Sequence, residues 1–200
     1  MKAVINEIQF QLRQDHEYYH NSLYNRSFHL ISGLLNFLAI FVALSGEVVG
    51  GCSIFITSWL LRQSGHFFFE SKNYDFKAGK SFQEKEDEKI GANLEPKRYM
   101  ILGLIFFAAF YTVFPQSLMS LSQYLGMKAE SSLEALAHFT ISVFLVTWVL
   151  RTVWLVLFHN PLRGFSWFLK ILYDPINDVV MYHRSPLELF RSIRKERLNV

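Results

Sequence analysis

The chain has 200 residues, of which 51% are hydrophobic and 20 are phenylalanine, and its formal net charge is +3. The apolar residues are grouped in long runs, which is typical of membrane helices and argues against a two-domain soluble protein. The charge is small and lies between the apolar runs, which argues against a nucleic-acid-binding protein. The single cysteine, Cys52, falls within an apolar run and is interpreted as a small buried residue, not a metal or redox thiol.

The N-terminal segment is predicted to be an amphipathic helix over residues 3–26. Its apolar residues recur at helical spacing, at Val4, Ile5, Ile8 and Leu12. This pattern is typical of a helix that lies on a membrane surface or in the cytosol.

Two apolar runs follow and predict a hairpin in the membrane. Residues 28–44 form a first candidate span, the polar residues 45–47 interrupt it, and residues 48–61 form a second. Both runs are shorter than the roughly 20 residues that a full crossing requires. The pair therefore crosses a thinned bilayer or forms a shallow hairpin.

The rest of the chain predicts a second pair of spans with polar segments around it. Residues 62–98 are rich in Lys and Glu and are expected to be a solvated loop or a short exposed helix. Residues 100–121 predict a third span with a kink at Pro115, and residues 135–158 a fourth. The three prolines of the tail exclude one long helix there, and residues 186–198 predict a basic amphipathic helix.

Basic residues indicate the topology. They lie before the first span, between the second and third and after the fourth, whereas Lys128 stands alone on the opposite side. By the positive-inside rule, both termini and the long loop are cytosolic, at the inner membrane of a bacterium or the endoplasmic reticulum of a eukaryote. The predicted fold is an all-α integral membrane protein with about four transmembrane helices and amphipathic segments at both ends. Residues 1–98 carry the hairpin and residues 99–200 the second helical pair and the basic tail, in one compact membrane domain.

This topology places six of the seven histidines at the cytosolic face. His20 and His29 lie at the mouth of the first span and His66 just beyond the second, so the hairpin brings them to one side. Neutral imidazoles bind Fe(II), Zn(II) or Cu(II), and three or four of them with open positions make a catalytic centre. Interfacial histidines are also common as amphipathic caps, but three around one hairpin favour a metal site. Glu70, four residues after His66, either completes the ligand set or holds a ligand imidazole, unless it is an ordinary surface residue.

The motif around these histidines resembles a known family. A Tyr-His pair is followed by Asn and His, and after the hairpin comes Gly-His-x-x-Phe-Glu. In this chain the motif residues are Tyr19, His20, Asn25, His29, Gly65, His66, Phe69 and Glu70. The order resembles the membrane-bound 2-hydroxy-fatty-acid dioxygenases, whose fungal member acts in the metabolism of phytosphingosine to odd-numbered fatty acids. The likeness covers residues 15–75, and Tyr74 stands where the family usually has proline.

The resemblance implies an Fe(II)-dependent dioxygenase that converts a 2-hydroxy fatty acid and O2 to a fatty acid one carbon shorter. Carried over by position, His20, His29 and His66 would bind Fe2+. Asn25 and Glu70 would support the site, Glu70 either from outside or as a ligand. A fourth histidine ligand lies outside the matched region, and topology favours His159 or His183 over His138.

Two other interpretations stay open from the sequence. One is a non-catalytic membrane scaffold or interaction protein whose histidines are merely interfacial. A transporter or channel is less favoured because the spans hold few charges, with Glu47 at a turn and Arg151 near a helix end. Metal identity, substrate chain length and oligomeric state are not determined by the sequence.

Overall fold

The structure is a computed structural model that describes residues 1–88, 94–126 and 128–198. In these ranges the chain is helical, without strands, apart from an isolated bridge between Asp75 and Lys80. The helices are α1 (Lys2–Tyr19), α2 (Leu23–Leu44), α3 (Val48–Phe69), α4 (Phe82–Glu88), α5 (Leu94–Val113), α6 (Pro115–Tyr124), α7 (Ser132–Phe158), α8 (Pro161–Tyr182) and α9 (Ser185–Leu198).

Two helices, α2 and α7, are long and apolar enough to cross a membrane. The predicted kink at Pro115 is present as a 107° bend between α5 and α6, and the bent pair counts as a third span if it is one unit. The all-α membrane architecture is thus supported, but four spans are not confirmed. Helix α3 contains the predicted second span, yet its second half turns polar at Arg62 and Gln63.

The predicted N-terminal helix is broken where the sequence analysis had it continue. Helix α1 ends at Tyr19 and α2 begins at Leu23, with Ser22 in an extended conformation (φ −80°, ψ 135°) between them. The break places the His20 ring, at the end of α1, 4.1 Å from the His29 ring in α2, measured between ring centroids.

Small and polar side chains hold the α2–α3 hairpin together. A Cβ atom on Gly51 would lie 2.8 Å from the carbonyl oxygen of Ala39, which shows how closely the two backbones approach. Nearer the mouth, the Ser58 hydroxyl lies 2.9 Å from the Ser32 carbonyl oxygen and 2.9 Å from Oδ1 of Asn36. Close approach at small residues and hydrogen bonds between helices are how helices associate in lipid.

Helix α8 crosses α2 and joins the second half of the chain to the first. A Cβ on Gly33 would meet the Pro175 carbonyl oxygen at 2.9 Å and a methyl of Val179 at 3.3 Å. Pro175 lies inside α8, and the expected break in the tail falls instead at His183 and Arg184, between α8 and α9. The crossing brings the end of α8 against the start of α2.

The polar connection after α3 contains a short helix, α4, as one of the two expectations had it, and most of residues 71–88 are exposed, but two residues of α4 are buried. Lys85 and Glu86 in α4 are buried, with 2% and 5% of their surface exposed. The Tyr19 hydroxyl donates to the Lys85 carbonyl oxygen at 2.8 Å, and the Lys85 ammonium lies 2.9 Å from the Asp75 carboxylate. This segment therefore packs against the end of α1, beside His20. Lys89, the last residue of the charged run, lies outside the described residues.

A candidate metal centre

Three histidines from three different local structures meet at the mouth of the hairpin. His20 is the residue after α1, His29 lies in the second turn of α2, and His66 lies one turn before the end of α3. Each offers a ring nitrogen, and these nitrogens all lie within 4.8 Å of one another. The exposed fractions are 5%, 0% and 5%, so the site is closed to bulk water. This buried histidine triad can hold a metal ion.

The Nε2 atoms of His29 and His66 contact each other, and a metal bound by the triad would replace that contact. His29 Nε2 and His66 Nε2 are 3.1 Å apart, close to the roughly 3.0 Å expected for two ligands at a right angle with metal–nitrogen bonds of about 2.1 Å. The Nε2 of His20 is buried and has no hydrogen-bond partner. A buried polar atom without a partner costs free energy, and a metal ligand bond would remove that cost.

Helix α8 supplies partners for the other ring nitrogens of two triad members. His29 Nδ1 lies 3.2 Å from the Asp178 carboxylate, and His20 Nδ1 lies 2.7 Å from the Tyr182 hydroxyl. Asp178 and Tyr182 are one helical turn apart, so both face the triad. Metal-binding histidines usually donate their second N–H to a carboxylate or other acceptor, which fixes the ring and the tautomer. The arrangement is therefore the one that metal ligation through Nε2 requires.

Asp178 is part of a network of ion pairs with alternating charges. Its carboxylate lies 2.8 Å from the Arg62 guanidinium, which also lies 3.5 Å from Asp174. Lys170 then joins Asp174 at 3.0 Å and Asp15 of α1 at 2.7 Å. Buried charges persist when paired in this way. This ion-pair network links α1, α3 and α8 next to the triad.

Asn25 occupies the space beside the third histidine. Its amide nitrogen donates to the Tyr19 carbonyl oxygen at 2.8 Å and to the Glu70 carboxylate at 2.5 Å, and it lies 3.4 Å from His66 Nδ1. Gly65 makes this position possible, because a Cβ there would lie 2.0 Å from Oδ1 of Asn25. The Gly-His pair of the motif therefore has a steric reason.

Glu70 caps α3 and touches Asn25; it is not one of the residues whose ligand atoms converge. Burial raises the pKa of its carboxyl group to about 7, against the opposing effect of the Asn25 hydrogen bond. Burial also lowers the pKa of His20 well below its ordinary value. His20 is consequently a neutral imidazole at neutral pH, which is the form that binds a metal.

The structure does not bring His159 to the triad. His159 follows α7, is exposed, and packs against the Trp154 ring with centroids 4.6 Å apart. It stands just before α8, whose far end touches His20, and α8 has 22 residues. A helix of that length is about 33 Å long, which is why the predicted fourth ligand lies far from the other three.

The remaining histidines also lie outside the triad. His183 is exposed and contacts the Val180 carbonyl oxygen at 2.9 Å, and His138 is half-buried in α7. His16 lies closest, since its Nδ1 is 2.7 Å from the Tyr182 hydroxyl that also contacts His20.

Sequence analysis missed Asp178 and Tyr182. A signal was present in the tail, where Lys170, Asp174, Asp178 and Tyr182 recur every four residues and so share one face of a helix. Nothing in that spacing indicated which helix the polar face would meet.

No family model, no curated protein and no solved structure matches this chain.

Proposed function

We propose that the protein is an Fe(II)-dependent dioxygenase of the membrane that shortens 2-hydroxy fatty acids by one carbon. The observation that carries the proposal is the convergence of three buried imidazoles, two of them held through Nδ1 from α8, with an unpartnered Nε2 on His20. The motif resemblance supplies the choice of iron and of substrate.

The donor set suits the reaction. His20, His29 and His66 would hold the iron through three imidazole nitrogens, a set close to the two histidines and one carboxylate of known non-haem iron oxygenases. When bound, iron would supply O2 activation and polarisation of the substrate oxygens. The overall reaction balances, because a 2-hydroxy acid and O2 give the shorter acid, CO2 and water, with four electrons passing from the substrate to O2.

The chain's own residues orient the reactants and exclude water. Asp178 and Tyr182 hold two imidazole rings, and Asn25 fixes the space next to the third. Arg62 is already engaged by two aspartates. Arg26, whose Nε donates to the His20 carbonyl oxygen at 2.6 Å, is better placed to bind the substrate carboxylate.

A membrane location fits a substrate with a long acyl chain, which partitions into the bilayer with its head group at the surface. In the proposal, α3 and the bent α5–α6 pair join α2 and α7 to give about four membrane passages. The distribution of basic residues puts both termini and the triad on the cytosolic side. This location is the bacterial inner membrane or the endoplasmic reticulum.

Metal content and turnover of the purified protein test the proposal. We expect wild type prepared anaerobically in detergent to bind about one iron per chain, as a single three-histidine site allows, and to consume O2 and a 2-hydroxy fatty acid in equal amounts. The combined variant His20→Ala, His29→Ala, His66→Ala should bind no iron and consume neither. His183→Ala, an exposed histidine outside the triad, is the matched control and should behave as wild type.

Three outcomes would contradict the proposal. They are retention of zinc and rejection of iron by wild type, full activity in His66→Ala, and iron binding by the triple variant. If none of the three histidine substitutions changed the function of a correctly inserted protein, the non-catalytic scaffold would be favoured.

A further inference from the structure

Helix α8 is amphipathic, but its polar face is buried and its apolar face is exposed, the reverse of a helix in a water-soluble protein. Between residues 164 and 182 its charged side chains are Lys170, Asp174 and Asp178, and all three are buried, with 4%, 8% and 2% of their surface exposed. They point at α1, α2 and α3, where each has an oppositely charged partner or a histidine. The polar face of α8 is therefore its inner face.

The outer face of α8 is apolar. Phe165, Leu172, Ile176 and Val180 lie on one face by helical spacing and are exposed by 52%, 58%, 43% and 62%. In water this face would leave a contiguous apolar strip uncovered, which soluble proteins rarely do. In lipid it needs no protein partner.

Two features indicate that the missing cover is lipid. The N-terminal half of α8 packs on α7 beside the apolar strip, since a Cβ on Gly164 would touch Val156, and the Trp148 and Phe168 rings stack at 4.4 Å. Helix α7 is itself a candidate span with only 6% of its most apolar window buried. In addition, no charged side chain of α8 faces outward between residues 164 and 182. A water-soluble protein partner would therefore find no charged group to contact on this face.

Contacts with α1 show how α8 lies. The first half of α8 runs beside α1, from Arg163 near Glu7 to Lys170 at Asp15, and its second half packs against the start of α2, where Pro175 meets Gly33. Helix α1 is too polar to cross a bilayer, because charged side chains recur along its 18 residues. The first half of α8 stays beside α1, and the 12 residues after Lys170 are fewer than the roughly 20 that a crossing needs, so α8 does not cross the bilayer.

We propose that α8 is an interfacial helix that rests its outer face on lipid acyl chains and holds the triad through its inner face. The partner is the hydrocarbon region of the bilayer, reached at the level of the lipid head groups. This inference concerns where the helix lies and stands whether or not the protein oxidises fatty acids.

Site-directed spin labelling in proteoliposomes tests the placement. In a Cys52→Ala background, which removes the only cysteine, single cysteines replace Leu172, Ile176 and Val180. Leu145 in α7 serves as the lipid-facing reference and Arg191 in α9 as the water-facing reference, both in exposed positions. The collision rates of each nitroxide are measured with O2, which concentrates in lipid, and with chromium(III) oxalate, which stays in water and does not bind the histidine triad.

We expect the ratio of O2 to chromium oxalate collisions at the three α8 positions to match that at Leu145 and to exceed that at Arg191 several-fold. A ratio equal to that at Arg191 would overturn the proposal in favour of a water-exposed helix. Exclusion of both reagents at the three positions would overturn it in favour of a protein partner, such as a second copy of the chain.

A measurement on the unlabelled wild type keeps the proposal testable if a cysteine variant misfolds. Proteoliposomes that contain a phosphatidylcholine with a diazirine in its acyl chain are irradiated, and the cross-linked residues are mapped by mass spectrometry. Cross-links at Phe165, Leu172, Ile176 and Val180 alongside those on α7 are expected. Cross-links on α7 without any on α8 would refute the lipid contact.

Discussion

The mouth of the α2–α3 hairpin and the turn between α7 and α8 both gather histidine, arginine and acidic side chains, yet they differ in burial and in partners. At the mouth, three histidines are at most 5% exposed and two have a partner from α8 on Nδ1. At the turn, His159 is exposed against an indole ring, and Arg151 lies over the same ring, 4.4 Å from its centre.

The turn opens on a groove of about 400 Å³ that residues of α1, α4, α7 and α8 line. The comparison shows that residue types alone do not make a metal site. Burial and a second helix that holds the rings distinguish the mouth from the turn.

The largest effect is expected from a substitution in α8 that weakens its contact with a triad imidazole. Asp178→Asn keeps the shape of the side chain but removes the charge that His29 and Arg62 share. Loss of such an outer partner usually weakens metal binding by about 10–100-fold, and we expect a loss in this range. Iron affinity is measured by competition with a chelator, with helix content checked by circular dichroism.

Asp87→Asn is the matched control and should leave iron affinity unchanged, because Asp87 is an exposed residue of α4 that lines the groove with His159. Equal iron affinities of Asp178→Asn and wild type would show that α8 does not hold the site. The contrast between the mouth and the turn would then be wrong.

The next effect is steric. Gly65→Ala places a methyl group against Asn25, and a rigid interior that cannot absorb it is destabilised by about 1–3 kcal/mol. We expect a lower melting temperature in detergent together with a loss of iron retention. Gly103→Ala provides the control, because a Cβ on Gly103 meets nothing within 4 Å. If the two alanine variants melt alike, the close packing at the mouth is not what the structure indicates.

A smaller effect should appear in the pH dependence of stability. The folded pKa of Glu70 is about 7 and lies above its ordinary value of 4.5, so Glu70 favours folding below pH 4.5 and this contribution is lost as pH rises through 7. Allowing for partial exposure, the loss is about 1–2 kcal/mol. In metal-free protein, the melting temperature of wild type should therefore fall more between pH 5 and pH 8 than that of Glu70→Gln. Parallel curves for the two proteins would exclude a raised pKa at Glu70.

The smallest effect is expected at the turn itself. His159→Ala removes an exposed ring, and surface substitutions of this kind usually change stability by less than about 0.5 kcal/mol. Iron content and turnover should match wild type. A tenfold loss of iron affinity in this variant would indicate that His159 is the fourth ligand. Helix α8 would then have to pack differently.

Sequence reasoning found the histidine cluster because its logic is local. His20 and His29 flank the start of one apolar run and His66 follows the next, so a hairpin alone brings them together. The Pro115 kink and the basic last helix were equally predictable, since proline geometry and amphipathic spacing are local properties. His159 was chosen from membrane sidedness, which constrains depth but not position within the plane.

What sequence reasoning lacked was the crossing of α8 over α2. That crossing depends on the close approach at Gly33, a contact between residues more than 140 positions apart in the chain. The burial of Lys85 within the otherwise exposed polar connection was missed for a related reason. Lys85 looks like a surface residue until the Asp75 carboxylate and the end of α1 enclose it.

The place of Asp178 and Tyr182 near the C-terminus has a consequence for biosynthesis. The three triad histidines are complete once residue 66 has been made, whereas Asp178 emerges 112 residues later, which at ordinary elongation rates is roughly 6–22 s. During that interval His20 and His29 lack the α8 partners that hold their rings in the folded protein. If the triad binds a metal as proposed, metal capture and the docking of the last helices are linked steps, and a chain truncated before residue 178 would lack the α8 partners of its centre.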